Sequence, residues 1–143
     1  MNHLSSLYTL AEREKIPILA YPLPLTESLA IQNDEGQCYI GMDYDKLADP
    51  RDHLVHLSHE LGHCLTGAFY NRYAKFDLRQ RQEIKADKWA IHRLIPVDAL
   101  DDAVAAGYIE FWELAEYFGV TVDFMKKAVC LYTHGNLEAD LYF

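Results

Sequence analysis

Two histidines four residues apart, His59 and His63, with Glu60 directly after the first, are the side chains in this sequence best suited to chemistry. If the segment is helical, positions i and i+4 lie one above the other on the same face. Both imidazoles can then reach one Zn²⁺ ion, while Glu60 points far enough from their shared axis to reach a metal-bound water instead. The spacing therefore predicts a metal site with Glu60 as general base.

The residues around this motif predict the helix that it requires. Asp49 is a good N-cap, and Pro50 suits the first helical position. Leucines then recur at intervals of three and four residues, which indicates an amphipathic helix from about Pro50 to Gly67. Gly62 is unexpected there, because glycine costs about 1 kcal/mol relative to alanine inside a helix. It predicts either a close contact with another helix or space for a backbone beside the metal, and both interpretations stay open.

A catalytic zinc ion usually has three protein ligands and one open position, so the third ligand should come from another element. A second helical pattern, from about Arg79 to Arg93, carries Glu83 and Asp87 on one face. Ala86 and Ala90 flank that face and would let another helix approach closely. We predict Glu83 as the third ligand and Asp87 as the acceptor for the free ring N–H of a metal-bound histidine. The alternative is a solvated acidic face on a surface helix, which the two alanines disfavour.

Three motifs in sequence order carry a resemblance to a known family. They are His59-Glu60-Leu61-Gly62-His63, then Glu83-x-x-Ala86-Asp87-x-Trp89-Ala90, and then Leu94-Ile95-Pro96. Together they resemble the ImmA/IrrE metallopeptidases, which are small zinc-dependent proteins of bacteria and their mobile elements. The resemblance is close over about residues 30 to 100 and looser elsewhere.

The resemblance implies a role for each matching residue and a kind of partner. The family pattern has its zinc ligands at His59, His63 and Glu83 and its general base at Glu60. It implies one Zn²⁺ per chain and hydrolysis of a peptide bond. The implied partner is a helix-turn-helix repressor of a phage or mobile element, which is cleaved or otherwise inactivated. A zinc-containing regulatory protein that binds a repressor without cleaving it is the alternative.

Composition predicts a single cytoplasmic domain over residues 1–143. The chain has no apolar run of 18 residues that would predict a membrane span, and its N-terminus lacks a secretory pattern. Its net charge of −9 disfavours direct nucleic-acid binding and favours a basic partner or simple solubility. Cys38, Cys64 and Cys130 are odd in number and widely separated, which predicts free thiols in a reducing cytosol. Cys64 is expected in the core and not at the metal.

The predicted fold class is α+β: a small zincin-like domain with the active-site helix beside a short sheet, followed by C-terminal helices. The catalytic core is expected over about residues 1–96. A helix over residues 2–15 and a strand over 16–21 precede a β-hairpin formed by Ser28–Gln32 and Gln37–Met42. The strand Cys38–Met42 is the predicted edge strand that would pair with extended substrate.

The C-terminal portion, about residues 97–135, predicts three short helices, at Val97–Ala106, Ile109–Phe118 and Val122–Tyr132. Residues 113–121 resemble a helix-turn-helix, but the second helix offers only Lys126 and Lys127 for phosphate contacts. A packed helical pair or a docking surface for a partner is therefore favoured over a DNA-reading module.

The sequence leaves open which side chain stabilises the oxyanion and whether His56 lies near the predicted metal site. An oxyanion-stabilising side chain should lie near the open metal position, and Tyr70, Tyr73 and His92 are the candidates. His56 is one turn before His59 and could lie near the metal face. A polar position on the helix is the expected interpretation of His56, because a three-ligand site does not need it.

Overall fold

A computed structural model describes residues 3–71 and 73–135 and confirms the α+β class. The described residues divide into two compact units, the first ending at Ala90 and the second beginning at Ile91. Among the described residues there is no helix with the length and apolar character needed to cross a bilayer. The elements, in chain order, are α1 His3–Arg13, β1 Ile18–Ala20, β2 Ser28–Gln32, β3 Cys38–Met42, α2 Pro50–Thr66, α3 Phe76–Leu94, α4 Val97–Ala105, α5 Phe111–Phe118 and α6 Val122–His134.

The sheet has the strand order β1-β3-β2, with β1 parallel and β2 antiparallel to β3. The β2–β3 hairpin is confirmed, with Ser28 opposite Met42 and Gln32 opposite Cys38. The Asn33 side chain forms the turn by accepting hydrogen bonds from the backbone N–H groups of Glu35 and Gln37.

The prediction that Cys38–Met42 is an edge strand is wrong. β3 is the central strand, because β1 pairs with the side that β2 leaves open. Periodicity within one strand reports which face is buried and carries no information about the neighbouring strands. The edge strand that contacts α2, the helix that carries His59 and His63, is β2.

Helix α2 has the predicted bounds and ends. The Asp49 side chain accepts a hydrogen bond from the Arg51 backbone N–H at 2.8 Å, and Pro50 occupies the first turn. Gly67 ends the helix in the left-handed conformation, with φ of 69°, which favours glycine. The apolar face packs on the sheet and on α1; its buried leucines are Leu54, Leu57 and Leu61.

Helix α3 begins at Phe76, three residues before the predicted start at Arg79. It passes very close to α2 at Gly62. A β-carbon added to Gly62 would lie 2.5 Å from the carbonyl oxygen of Ala86 and 3.0 Å from its Cα. The close-contact interpretation of Gly62 is therefore correct, and the backbone that it admits is the segment between Glu83 and Asp87.

We predict that Gly62→Ala lowers the free energy of unfolding by about 1–3 kcal/mol, the usual cost of overpacking. Alanine has the higher helix propensity, so propensity alone would predict the opposite sign. Gly41→Ala is the matched control, because a β-carbon there meets only Leu29 and Leu23 side chains at 3.7–4.0 Å. Urea unfolding of both variants measures the difference. A Gly62→Ala protein as stable as the wild type would contradict the close contact.

The prediction of free thiols is wrong for two of the three cysteines. Cys38 of β3 and Cys64 of α2 form a disulfide, with their Cα atoms 5.8 Å apart. Counting and spacing could not show this pairing, because it depends on the packing of a helix on a strand 26 residues away in sequence. Cys64 is thereby excluded as a metal ligand, as expected, and Cys130 is buried.

The second unit contains the predicted helical pair α5–α6. Gly119 ends α5 with φ of 71°, and the Thr121 side chain caps α6 by accepting from the Phe124 N–H at 3.2 Å. The two helices pack on each other through buried apolar residues, among them Leu114, Phe118, Phe124 and Met125. Helix α5 begins at Phe111, two residues later than predicted, because Glu110 and Glu113 form a capping box there.

Candidate metal centre

The structure brings together the three predicted ligands, two from α2 and one from α3. The His59 and His63 Nε2 atoms lie 3.2 Å apart. Each also lies 2.9 Å from an oxygen of Glu83, His59 from Oε1 and His63 from Oε2. Two turns of α2 and one face of α3 thus direct three electron-pair donors at one small region.

These spacings fit a tetrahedral zinc ion. Ligand atoms about 2.1 Å from one ion at the tetrahedral angle lie roughly 3.4 Å from each other. The observed separations of 2.9–3.2 Å are close to that value. Two imidazole nitrogens and one carboxylate oxygen are also a donor set that Zn²⁺ commonly takes, with a fourth position left open.

The opposite ring nitrogens of both histidines are held by acceptors. His59 Nδ1 donates to Asp87 Oδ1 at 2.7 Å, which is the predicted contact of Asp87. His63 Nδ1 donates to the carbonyl oxygen of Ala68. With the other ring proton held on Nδ1, each Nε2 is the nitrogen that can give its lone pair to a metal ion once the ion displaces the Nε2 proton. Sequence reasoning missed Ala68, since any residue can supply a backbone carbonyl; only Gly67 signalled the chain reversal that brings it there.

The electrostatics of the metal-free cluster favour charged ligands. Burial lowers the pKa of His59, but hydrogen bonds to Asp87 and Glu83 outweigh it and raise the pKa to about 10. For His63, burial is likewise outweighed by the hydrogen bonds to Glu83 and Ala68, and its pKa is raised. Burial raises the pKa of Glu83. Its hydrogen bonds to His59 and His63 outweigh burial and hold that pKa well below the usual range. The cluster thus favours positive charge between the two histidines and Glu83, which protons supply when no metal ion is bound and which a bound metal ion would supply by displacing them.

Glu60 is buried beside the histidines, and it is the predicted general base. Its side chain is 5% exposed, and its carboxylate lies within 4.8 Å of the ring nitrogens of His59 and His63. Ser28, the first residue of β2, donates its hydroxyl proton to Glu60 Oε2 at 2.6 Å. His56 Nδ1 lies 2.8 Å from the same hydroxyl. Sequence reasoning missed Ser28, because a single serine at a strand start carries no distinguishing pattern.

The structure separates the three candidates for oxyanion stabilisation. Tyr70 is hydrogen-bonded to Glu83; burial, and then the negative charge of Glu83, raise its pKa. Tyr73 is 79% exposed. His92 is in the second unit, where its Nδ1 lies 3.2 Å from the Tyr132 hydroxyl. Tyr70 is the candidate that the structure brings to the ligand cluster.

We predict that Asp87→Ala weakens zinc affinity by about 10–100-fold, because His59 loses the acceptor that fixes its Nδ1 proton. Asp77→Ala is the matched control, since Asp77 is on the same helix with an exposed side chain. Competition with a chromophoric zinc chelator measures both affinities. Equal affinities in the two variants would show that the Asp87 contact does not support the metal.

The fold and site define a small α+β protein with a candidate metal centre of two histidines and a glutamate on neighbouring helices. Residues 11–129 match the Peptidase_M78 family model, the IrrE N-terminal-like domain. The match covers most of the chain, and the protein therefore belongs to this family, which confirms the resemblance seen in the motifs. A search of curated proteins finds no match.

Proposed function

We propose that this protein is a zinc-dependent metallo-endopeptidase that holds one Zn²⁺ through His59, His63 and Glu83. The observation that carries the proposal is the convergence of the three donor atoms, with a fourth group, the buried Glu60 carboxylate, within 4.8 Å of the histidine nitrogens. We assign Glu60 to the attacking water and not to the ion, because a catalytic zinc site keeps its fourth position open for water, whereas a structural site closes it with a protein ligand. Membership of a peptidase family supports the same conclusion.

Each residue then has one task in peptide hydrolysis. A Zn²⁺ ion held by His59, His63 and Glu83 would supply Lewis-acid chemistry: it would polarise a scissile carbonyl and lower the pKa of the attacking water. Glu60 accepts a proton from that water and passes it to the leaving amine. Asp87 and the Ala68 carbonyl keep both imidazoles in the required tautomer and orientation. Tyr70, whose hydroxyl is hydrogen-bonded to Glu83, is the proposed donor to the oxygen on which negative charge develops, and it would have to turn its proton from Glu83 to that oxygen.

We further propose that the substrate is a basic protein, a helix-turn-helix repressor of a phage or mobile element. Residues 97–118 contain acidic side chains but no lysine or arginine. Within them every residue from Val104 to Trp112 is exposed, including the apolar side chains of Tyr108, Ile109, Phe111 and Trp112. This surface disfavours DNA, whose phosphates need basic contacts, and favours a partner with basic and apolar side chains. DNA-binding repressors carry a basic face of this kind. A repressor substrate would also place the proposed peptidase activity in the cytoplasm.

Incubation of the zinc-loaded protein with a purified helix-turn-helix repressor tests the proposal. A helix-turn-helix repressor encoded next to the gene of this protein would be the first choice. Intact-mass spectrometry should show two fragments that sum to the repressor plus one water, and a zinc chelator should abolish them. Relief of repression without fragments would replace the peptidase proposal by the alternative, a zinc-containing protein that inactivates a repressor by binding it.

A further inference from the structure

A chain of three polar side chains, with Ser28 and Glu60 buried and His56 half-buried, links the sheet edge to the proposed general base. The Ser28 hydroxyl on β2 lies between His56 Nδ1, at 2.8 Å, and Glu60 Oε2, at 2.6 Å. Ser28 and Glu60 are each only 5% exposed. We propose that Ser28 and His56 are positioning residues that hold the Glu60 carboxylate in one orientation. This inference rests on the proposed function of Glu60.

The proton count fixes the direction of both hydrogen bonds. A carboxylate can only accept, so the single hydroxyl proton of Ser28 goes to Glu60. The Ser28 oxygen can then only accept from His56, which places the ring proton of His56 on Nδ1. The arrangement therefore requires a proton on His56 Nδ1, which the commoner neutral tautomer lacks, and it makes the Ser28 oxygen both acceptor and donor. Such chains polarise one another and hold their members more firmly than an isolated bond.

The backbone around Ser28 makes it a rigid support. The Thr26 hydroxyl donates to the Ser28 carbonyl at 3.0 Å, and Ser28 pairs with Met42 across the hairpin. Asp43 N–H donates to the carbonyl of Glu27, which closes the end of the ladder. A one-residue slip of β2 would turn the hydroxyl to the other face of the sheet. The hairpin register thus determines where Glu60 is held.

Holding Oε2 leaves Oε1 as the oxygen available to the attacking water. Among the described residues, Ser28 is the side chain that donates to this carboxylate. Because Glu60 has rotatable bonds and lies in a tight site, an unsupported carboxylate would sample several orientations. Only some of these orientations place an oxygen within hydrogen-bond reach of the water. Loss of the Ser28 hydrogen bond should therefore lower kcat and leave substrate binding unchanged.

The first measurement determines which ring nitrogen of His56 carries the proton. This measurement does not require the protein to turn over a substrate. In the ring ¹⁵N spectrum of the zinc-loaded wild type, His56 should be protonated at Nδ1. In Ser28→Ala it should shift toward the Nε2-protonated form, because its acceptor is gone. An Nε2-protonated His56 in the wild type would overturn the proposed hydrogen-bond chain.

The second measurement is the steady-state rate of substrate hydrolysis. Ser28→Ala should lower kcat about 10-fold or more, the effect of losing a hydrogen bond to a charged group, with KM within about twofold of the wild type. Ser28→Thr keeps the hydroxyl and should recover most of kcat. Ser58→Ala is the matched control, since Ser58 is a fully buried serine on α2 whose hydroxyl, within the described part of the chain, donates to the helix carbonyl of Val55 and not to Glu60. Zinc content and thermal unfolding of every variant exclude loss of metal or fold as the cause.

The outcomes separate this inference from the proposed function. Wild-type kcat in Ser28→Ala, or equal loss in the Ala and Thr variants, overturns the positioning role while the peptidase remains. Absence of turnover in the wild type overturns the peptidase and the positioning role with it. The His56 spectra then still decide whether Ser28 links the two side chains.

Discussion

Glu60→Gln is expected to retain the zinc content and fold of the wild type and to hydrolyse the substrate at least about 10²-fold more slowly. The variant keeps the size of the side chain and an oxygen that can accept from the Ser28 hydroxyl, whose Oγ lies 2.6 Å from Glu60 Oε2. It loses the carboxylate that accepts a proton from water. Because Glu60 is outside the ligand set, zinc should remain bound. Rates come from fragment formation, and zinc content comes from elemental analysis.

Glu12→Gln is the control for this variant, because it makes the same chemical change on an exposed position of α1. It should match the wild type in rate and in zinc content. Co-expression with the repressor gives the decisive comparison. If Glu60→Gln relieves repression as well as the wild type and neither protein produces fragments, the peptidase proposal is wrong and the binding protein takes its place.

The local features of the metal site were predictable because each has a short-range cause. Asp49 and Gly67 mark the ends of α2, and leucine spacing sets its buried face. The i,i+4 relation then fixes His59 and His63 with respect to each other without any knowledge of tertiary structure. Glu83 was predictable at longer range only because small residues beside it indicated a close helix contact, which Gly62 and Ala86 provide.

The features that sequence reasoning missed all depend on which elements become neighbours. The order of strands decides that β2 is the edge strand that packs on α2, and with it that Ser28 reaches Glu60. The same packing joins Cys38 to Cys64. The Ala68 carbonyl depends on the path of the chain after α2. None of these has a periodic or compositional signal, because a backbone carbonyl, one serine and one cysteine pair are common in any sequence.

His63→Ala is expected to remove most of the zinc, from about one ion per chain to less than about a tenth of that. His63 supplies one of three donor atoms, and the remaining His59 and Glu83 leave two open positions on the ion. Its ring is also the one that the Ala68 carbonyl orients, so the variant removes a donor atom that the fold holds in place. Elemental analysis after gel filtration in zinc-free buffer measures the ratio of zinc to protein.

His92→Ala is the control, since it removes an exposed histidine from the second unit and should leave the zinc content unchanged. Glu83→Gln tests the same centre without opening a cavity, because the amide keeps the shape of the side chain but is a poor ligand for zinc. It should also lose most of its zinc while its circular dichroism stays like that of the wild type. Equal zinc in the wild type, His63→Ala and Glu83→Gln would place the metal elsewhere and remove the basis of the proposed mechanism.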